Sequence, residues 1–459
     1  MIGNDAAGDE MEQRALSRPE RSDGHQPSHV RRWGRRFLRA LVYLLLVVIA
    51  ILVGTQALVT VARSTTRPAA FLAAGFLAYL VVAVLGHWLL TRRVPAERRR
   101  RTRLVGAAVL AGIVLVPSLV WGLPPDGEAA RTRAVAGTEQ WQLPTGSRLA
   151  VLKIPAGQRT HDTPIVFLHG GPGVADMAHD APFFGWFTSL GYDVWLYDQV
   201  GTGHSARLAD PRGYSVERDT ADLEAVRQRI GADRMVLIGF SYGGTLAANY
   251  LARHGEHVAK VVFTSPGRMV WQAYDTAGTG MLGRVSFRDQ LRAAAAGLAP
   301  RAYLAYSLVK ADPRSARAFA GDAEMDARFA DLHGATAAGL VCPGHRTPAT
   351  PDRLGFYANQ VIDGKSATMD VRPGLRRLAT PALVLKGGCD YLPWHFATDY
   401  RDAMPGTRLV YFPDAGHQLY DEQPDRYRAV VAAFLEDRPL PVTPYTGDEA
   451  PADFTGPTR

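Results

Sequence analysis

The sequence predicts an α/β fold: a mostly parallel sheet flanked by helices, with an inserted helical cap, preceded by three transmembrane helices. Three observations carry this. Short runs that are apolar throughout alternate with amphipathic helical patterns from about residue 140 to 436. The alternation stops between about 268 and 380, where Ala-rich helical segments take over. Ahead of residue 124 lie three long stretches without a charged side chain.

Residues Ala40 to Ala62 carry no charge over 23 positions, Ala69 to Leu90 none over 22, and Leu104 to Leu123 none over 20. At ~1.5 Å per residue such helices match a hydrocarbon core of ~30 Å. The first run is too long for a cleaved signal peptide. Pro117 is tolerable in a span whose neighbours satisfy the freed carbonyl, and Gln56 and His87 read as polar contacts between helices. Arginines crowd the segment before the first span (Arg31, Arg32, Arg35, Arg36, Arg39) and the loop before the third (Arg92, Arg93, Arg98 to Arg101, Arg103). The loop between the first two spans has only Arg63 and Arg67. Positive flanks stay inside, so the N-terminus is expected in the cytoplasm and the large domain outside the cell membrane.

The net charge of +8 is not a nucleic-acid signal. Residues 1–139 hold 19 Lys+Arg against 10 Asp+Glu, whereas residues 140–459 hold 33 against 34. The basic excess belongs to the anchor and its contact with a lipid bilayer. The organisation expected is a disordered basic cytoplasmic tail (1–36), a three-helix anchor (37–123), a linker (124–139), a catalytic domain (140–436) and a flexible tail (437–459). Cys342 and Cys389 are read as two buried thiols, although an oxidising exterior would let them pair. No Cys/His spacing suggests zinc, and no metal or cofactor is expected.

Strands are expected at Leu149–Ile154, Ile165–Leu168, Val194–Tyr197, Met235–Phe240, Val261–Thr264, Leu383–Leu385 and Leu409–Phe412. Helices are expected at Val216–Ile230 and Tyr242–Arg253. Strands apolar on both faces belong in a parallel sheet covered on both sides. The insertion of about 268–380 follows the strand after the serine helix, where it would roof the carboxyl ends of the strands, the usual ligand side of such sheets.

The chemistry is concentrated at those strand ends. Gly239-Phe240-Ser241-Tyr242-Gly243 places a serine between a buried strand and a helix, the pattern of a nucleophile elbow. A serine hydroxyl needs a base near neutrality and a carboxylate to orient that base, in the chain order Ser, Asp, His. Asp390 follows one strand and His417 the next, so Ser241, Asp390 and His417 are the candidate triad, with Asp414 in reserve. The oxyanion hole is expected from the backbone N–H groups of Tyr242 and Gly171, the latter in the loop His169-Gly170-Gly171-Pro172-Gly173. Each motif alone has a bland reading, a tight turn or a helix cap. Their order and placement together point to a serine hydrolase.

The motifs His169-Gly170-Gly171-Pro172-Gly173, Asp198-Gln199-Val200-Gly201 and Gly239-Phe240-Ser241-Tyr242-Gly243-Gly244 resemble those of the proline iminopeptidase branch of the α/β-hydrolases. The resemblance covers roughly 140–436. It implies an α/β-hydrolase fold, a Ser-Asp-His mechanism without metal, a helical cap, and release of an N-terminal residue from a peptide. It also implies acidic cap residues that bind the substrate's amine; Asp322, Glu324 and Asp326 are the candidates, with Gly170 as a further substrate contact. Val200 stands where that family commonly has arginine, which leaves proline specificity open.

The function expected is thus a membrane-anchored aminopeptidase acting on small peptides or aminoacyl amides. A carboxylesterase or lactonase on small esters uses the same machinery, and a non-catalytic membrane sensor is the remote alternative. No nucleic-acid partner is expected.

Overall fold

A computed structural model describes residues 28–121, 134–270, 280–364 and 370–458. The chain divides into two compact units, residues 1–55 with 77–112, and residues 56–76 with 113–459. Three helices open it: α1 (Ser28–Ala62), α2 (Pro68–Thr91) and α3 (Ala96–Trp121).

Within the first unit, polar side chains tie the helices together. Tyr43 Oη and His87 Nδ1 lie 3.0 Å apart, His87 Nε2 meets the Thr102 carbonyl at 3.1 Å, and Tyr79 Oη donates to the Leu110 carbonyl at 2.7 Å. His87 is therefore an interhelical contact, as its isolation among apolar residues implies. Among the described residues two helices are long and apolar enough to cross a membrane, Phe37–Ala62 and Pro68–Thr91. The expected third span, Leu104 to Leu123, runs on beyond the described residues. The third begins in Glu97 and the arginines to Arg103, and its side chains from 114 on lie outside the described residues, as do 1–27 of the expected tail and most of the linker.

Among its described residues the second unit holds eight strands: β1 (Glu139–Gln142), β2 (Arg148–Ile154), β3 (Ile165–Leu168), β4 (Val194–Tyr197), β5 (Met235–Phe240), β6 (Val258–Thr264), β7 (Ala382–Gly387) and β8 (Arg408–Phe412). They form one sheet in the order β1-β2-β4-β3-β5-β6-β7-β8. The pairs β1–β2 and β2–β4 are antiparallel, and the rest are parallel. Alternate side chains feed two cores. Val166, Leu168 and Leu237 enter one; Ile165, Phe167, Val236 and Ile238 enter the other. That is why these strands read as continuous apolar runs. Strand β1 carries only Trp141 inward, being a polar edge, and its sequence gave no strand signal.

Helices α4 (Met177–Phe184), α5 (Val216–Ile230) and α6 (Tyr242–His254) connect the central strands. In α5 the Ser215 side chain accepts from the Arg218 N–H at the start, and Gly231 in the left-handed region closes the end. After β6 come the cap helices α7 (Gly280–Gly283), α8 (Phe287–Leu298), α9 (Pro300–Ala311), α10 (Pro313–Phe319), α11 (Asp322–Thr336), α12 (Phe356–Gly364) and α13 (Arg372–Leu375). The fold ends with α14 (Trp394–Ala403), α15 (Leu419–Glu422) and α16 (Pro424–Leu435).

The turn joining α1 to α2 belongs to this second unit and packs on the cap. Ser315 Oγ donates to the Ala62 carbonyl at 2.7 Å and lies 3.0 Å from that of Thr65. Phe71 meets Phe319 edge-on at 6.4 Å, and Leu58, Ala62 and Phe71 are buried with Leu308 and Ala316.

The stretch 437–459, read from sequence as a flexible tail, is instead packed onto the domain as far as residue 458. Tyr445 N–H bonds the Leu409 carbonyl at 2.6 Å, Thr455 N–H that of Gly388 at 2.8 Å, and the Pro457 carbonyl accepts from Trp394 N–H at 2.8 Å. Tyr445 and Phe454 flank the Trp394 ring at 5.3 and 5.4 Å. Its Pro/Asp/Thr composition concealed two aromatic anchors.

Candidate active site

Strand β5 delivers Ser241 into a turn with φ 51° and ψ −115°, a conformation most side chains avoid. The turn is held by the Ser241 N–H on the Thr264 carbonyl at 2.9 Å and by the Gly267 N–H on the Ser241 carbonyl at 2.9 Å. The flanking glycines are required by proximity. A Cβ on Gly243 would lie 2.0 Å from the Leu168 carbonyl oxygen, and one on Gly239 2.5 Å from that of Gly243. Only glycine lets β3, β5 and the start of α6 approach so closely.

The loop after β3 is locked to the loop after β4. His169 Nε2 accepts from the Gln199 N–H at 2.9 Å, and the Gln199 side-chain amide returns a bond to the His169 carbonyl at 3.0 Å. Burial pushes the His169 imidazole down to about 4, so the ring is neutral and able to accept. This interlock explains why the two motifs occur together. Gly170 sits where a Cβ would crowd the Phe240 ring and Ser241 Cβ at 3.1 Å, which leaves room above the serine.

Two neighbouring strand ends bring the acid and the imidazole together. His417 Nδ1 lies 2.8 Å from Asp390 Oδ1, which also accepts from the Leu392 N–H at 3.0 Å. The other carboxylate oxygen, Oδ2, accepts from Lys386 Nζ at 2.7 Å, and the same ammonium reaches the Leu392 carbonyl at 2.8 Å. Lys386 and Asp390 are wholly buried. Burial works against the Asp390 charge, but the Lys386 ammonium and His417 overcome it and hold the carboxyl well below its ordinary range. Asp414 does not reach His417's place in this pairing; it is exposed beside His345 at 3.4 Å.

Ser241 and His417 face one cavity of about 560 Å³, lined on its apolar side by Phe240, Leu282, Phe329, Leu332 and Leu340. A second lobe of about 320 Å³ also reaches Ser241, with Tyr242, Arg268, Tyr391 and Pro457 in its wall. Gly171 and Asp363 line both. The Asp363 side chain is half open to this space but enclosed by surrounding protein, and burial pushes its carboxyl up against the pull of Arg268, 3.9 Å away. His179 also lines the larger lobe and is pushed up to about 10 by Asp180 and then Asp421. Among the described residues no group of three or more His, Cys, Asp or Glu side chains is placed to hold a metal ion.

The remaining sequence candidates fall elsewhere. Glu324 lies outside the residues that line either lobe; its buried carboxylate is taken by Arg301 at 2.6 Å and Arg328 at 3.1 Å. Asp326 is paired with Arg207 at 2.8 Å, and Asp322 with Arg317 at 2.6 Å. Glu324 and Asp322 tie cap helices together and Asp326 ties the cap to the loop after β4; nothing in an acid-rich helix start discloses arginines arriving from distant segments. Cys342 and Cys389 are joined in a disulfide, which corrects their reading as free thiols. The bond fastens the cap segment between α11 and α12 to the residue before Asp390. Glu422 braces the same junction, accepting from the Cys342 N–H at 2.8 Å and the Gly416 N–H at 2.6 Å. Sequence reasoning missed Lys386, although a lysine ending the apolar run Leu383–Leu385 was the available signal.

Residues 163–424 match the family described as alpha/beta hydrolase fold. The chain belongs to that family and is a hydrolase. It is similar to the proline iminopeptidase of Heyndrickxia coagulans, 24% identical over 301 residues that cover 63% of this chain and 96% of the relative. The proline iminopeptidase of Saccharolobus solfataricus is 25% identical over 283 residues, covering 59% and 84%. Among solved structures, a proline iminopeptidase from Mycobacterium smegmatis superposes with a TM-score of 0.45 at 22% identity, over 65% of this chain and 98% of its own. An esterase from Exiguobacterium antarcticum gives the same TM-score at 20% identity, covering 65% and 98%.

Proposed function

We propose that the chain is a membrane-anchored serine hydrolase that removes N-terminal residues from small peptides or aminoacyl amides. The observation that carries the reading is the 2.8 Å bond between Asp390 and His417 beside a strained Ser241 that faces the same cavity. In this mechanism His417 takes the Ser241 proton as Oγ attacks the substrate carbonyl carbon, and Asp390 stabilises the imidazolium. The backbone N–H groups of Tyr242 and Gly171 receive the oxyanion. His417 then gives its proton to the leaving amine, the C–N bond breaks, and water releases the acyl group from Ser241 by the reverse path. Asp363 is the acid placed to meet a substrate ammonium, since it lines both lobes at Ser241.

The apolar wall of the larger lobe favours a second reading, a carboxylesterase with an acyl chain against Phe240 and Phe329. A panel of aminoacyl-naphthylamides beside p-nitrophenyl esters separates the two. Preference for free-amine amides, lost in Asp363→Asn through a raised KM, supports the peptidase; turnover of esters alone removes it.

The anchor is α1, α2 and α3 as three spans, with the N-terminus in the cytoplasm and the catalytic domain outside the cell membrane. The arginine distribution supports this orientation, and so does the disulfide, a bond that persists in oxidising compartments.

A further inference from the structure

Helix α8 leaves an apolar face uncovered. Phe287, Leu291 and Leu298 are 73%, 55% and 69% exposed, and with Ala294 they fall at intervals of four, three and four residues, one stripe along the helix. Leu282 on α7 (48%) and Tyr303 on α9 (49%) extend the apolar exposure. An uncovered set of large apolar side chains of this kind marks an interaction surface.

Two further features specify the partner. Between residues 280 and 311 the charged side chains are Arg284, Arg288, Arg292, Arg301 and Lys310 against a single acid, Asp289. Arg288 and Arg292 are exposed on α8 one position after Phe287 and Leu291, at the edge of the stripe. A short helix with an apolar face bordered by arginines suits the headgroup boundary of an anionic bilayer. The cap also holds the turn between the two long apolar helices, through Ser315 on the carbonyls of Ala62 and Thr65. Under the proposed anchoring, that turn lies at the bilayer surface between the two spans.

The stripe also adjoins the active-site cavity. Ala294 and Leu282 are exposed and, with Met281 and Ala293, line the larger lobe that contains Ser241 and His417. We propose that the exposed face of α8 docks on an anionic lipid surface, so that the larger lobe opens at the bilayer and takes the apolar part of a membrane-resident amphiphile. This rests on the serine-hydrolase reading and names its substrate class.

The test uses the full chain reconstituted in vesicles of phosphatidylcholine and phosphatidylglycerol. Both native cysteines are in the disulfide, so Leu291→Cys gives a single thiol for a fluorophore. Spin-labelled lipid is expected to quench a label at Leu291 and to leave one at Glu256→Cys, an exposed site outside the cap, unaffected. Equal quenching at the two sites overturns the docking, as does a Leu291 label shielded by a second protein copy rather than by lipid. In the second arm, Phe287→Asp with Leu291→Asp is expected to lower turnover of a long-chain p-nitrophenyl ester in the vesicles by about tenfold or more. Turnover of the water-soluble acetyl ester is expected to stay unchanged; equal loss on both esters, or none, overturns the proposal. Failure of the underlying reading looks different: the unsubstituted chain would turn over no substrate in a Ser241-dependent way, while the quenching arm would still report on docking.

Discussion

Lys386 Nζ and Asp390 Oδ2 form a buried ion pair 2.7 Å long, on the carboxylate oxygen that His417 leaves unused. The carboxylate thus has both oxygens engaged, the Lys386 ammonium on one and the His417 imidazole with the Leu392 N–H on the other. Removing one partner of such a pair leaves an uncompensated charge in the interior, at a cost of about 3–5 kcal/mol. Lys386→Met is expected to lower unfolding free energy by that amount, measured by denaturant titration in detergent. A loss below about 1 kcal/mol would show that the pair contributes little.

Ser241→Ala is expected to abolish labelling by a fluorophosphonate probe and to lower kcat/KM by about four to six orders of magnitude. The circular dichroism spectrum and unfolding midpoint should be retained, because the serine side chain bears none of the bonds that hold the elbow. Persistent labelling would place the nucleophile elsewhere.

The disulfide spans 47 residues, and closing a loop of that length stabilises the fold by about 4 kcal/mol on chain entropy. Replacing Cys342 and Cys389 by serine is expected to destabilise by up to that amount. Dithiothreitol should shift the unfolding midpoint of the natural chain in the same direction and leave the variant unmoved. A midpoint indifferent to reductant would show that the two sulfurs are not bonded.

Asp219, buried on α5, accepts from the Tyr242 hydroxyl at 2.7 Å, and burial pushes its carboxyl up to about 8. An acid whose folded pKa lies above its unfolded value of ~3.9 binds more protons folded than unfolded. Stability from this group is therefore lost as pH rises from about 4 to about 8. Asp219→Asn removes that loss, so its midpoint should improve relative to the natural chain across this window. A difference between the two chains that does not vary with pH would refute the assignment.

Much of this architecture is legible in the chain because burial on both faces forces a recognisable pattern. Met235–Phe240 could hardly be anything but a central strand, and a serine following it between glycines could only sit on a sharp turn. The positions of Asp390 and His417 at successive strand ends follow from the same logic. What stays hidden depends on contacts between segments far apart in sequence. Glu324 looked available to substrate, but Arg301 reaches it from a separate helix. The sequence separation of 47 between Cys342 and Cys389 carries no hint of their meeting. The polar strand Glu139–Gln142 has one inward residue, too few to register as a period, and the final segment hid Phe454 in a composition typical of linkers.

In the proposed membrane-anchored form, the crown of the α1–α2 hairpin, set into the cap through Ser315 and Phe319, bears on release of the enzyme from the membrane. A protease that severs the polypeptide between α3 and β1 cuts the only covalent tether, yet the crown remains wedged in its socket. Shedding would need that plug to be withdrawn as well, so a nicked molecule should stay on the membrane fraction until detergent or denaturant dislodges it.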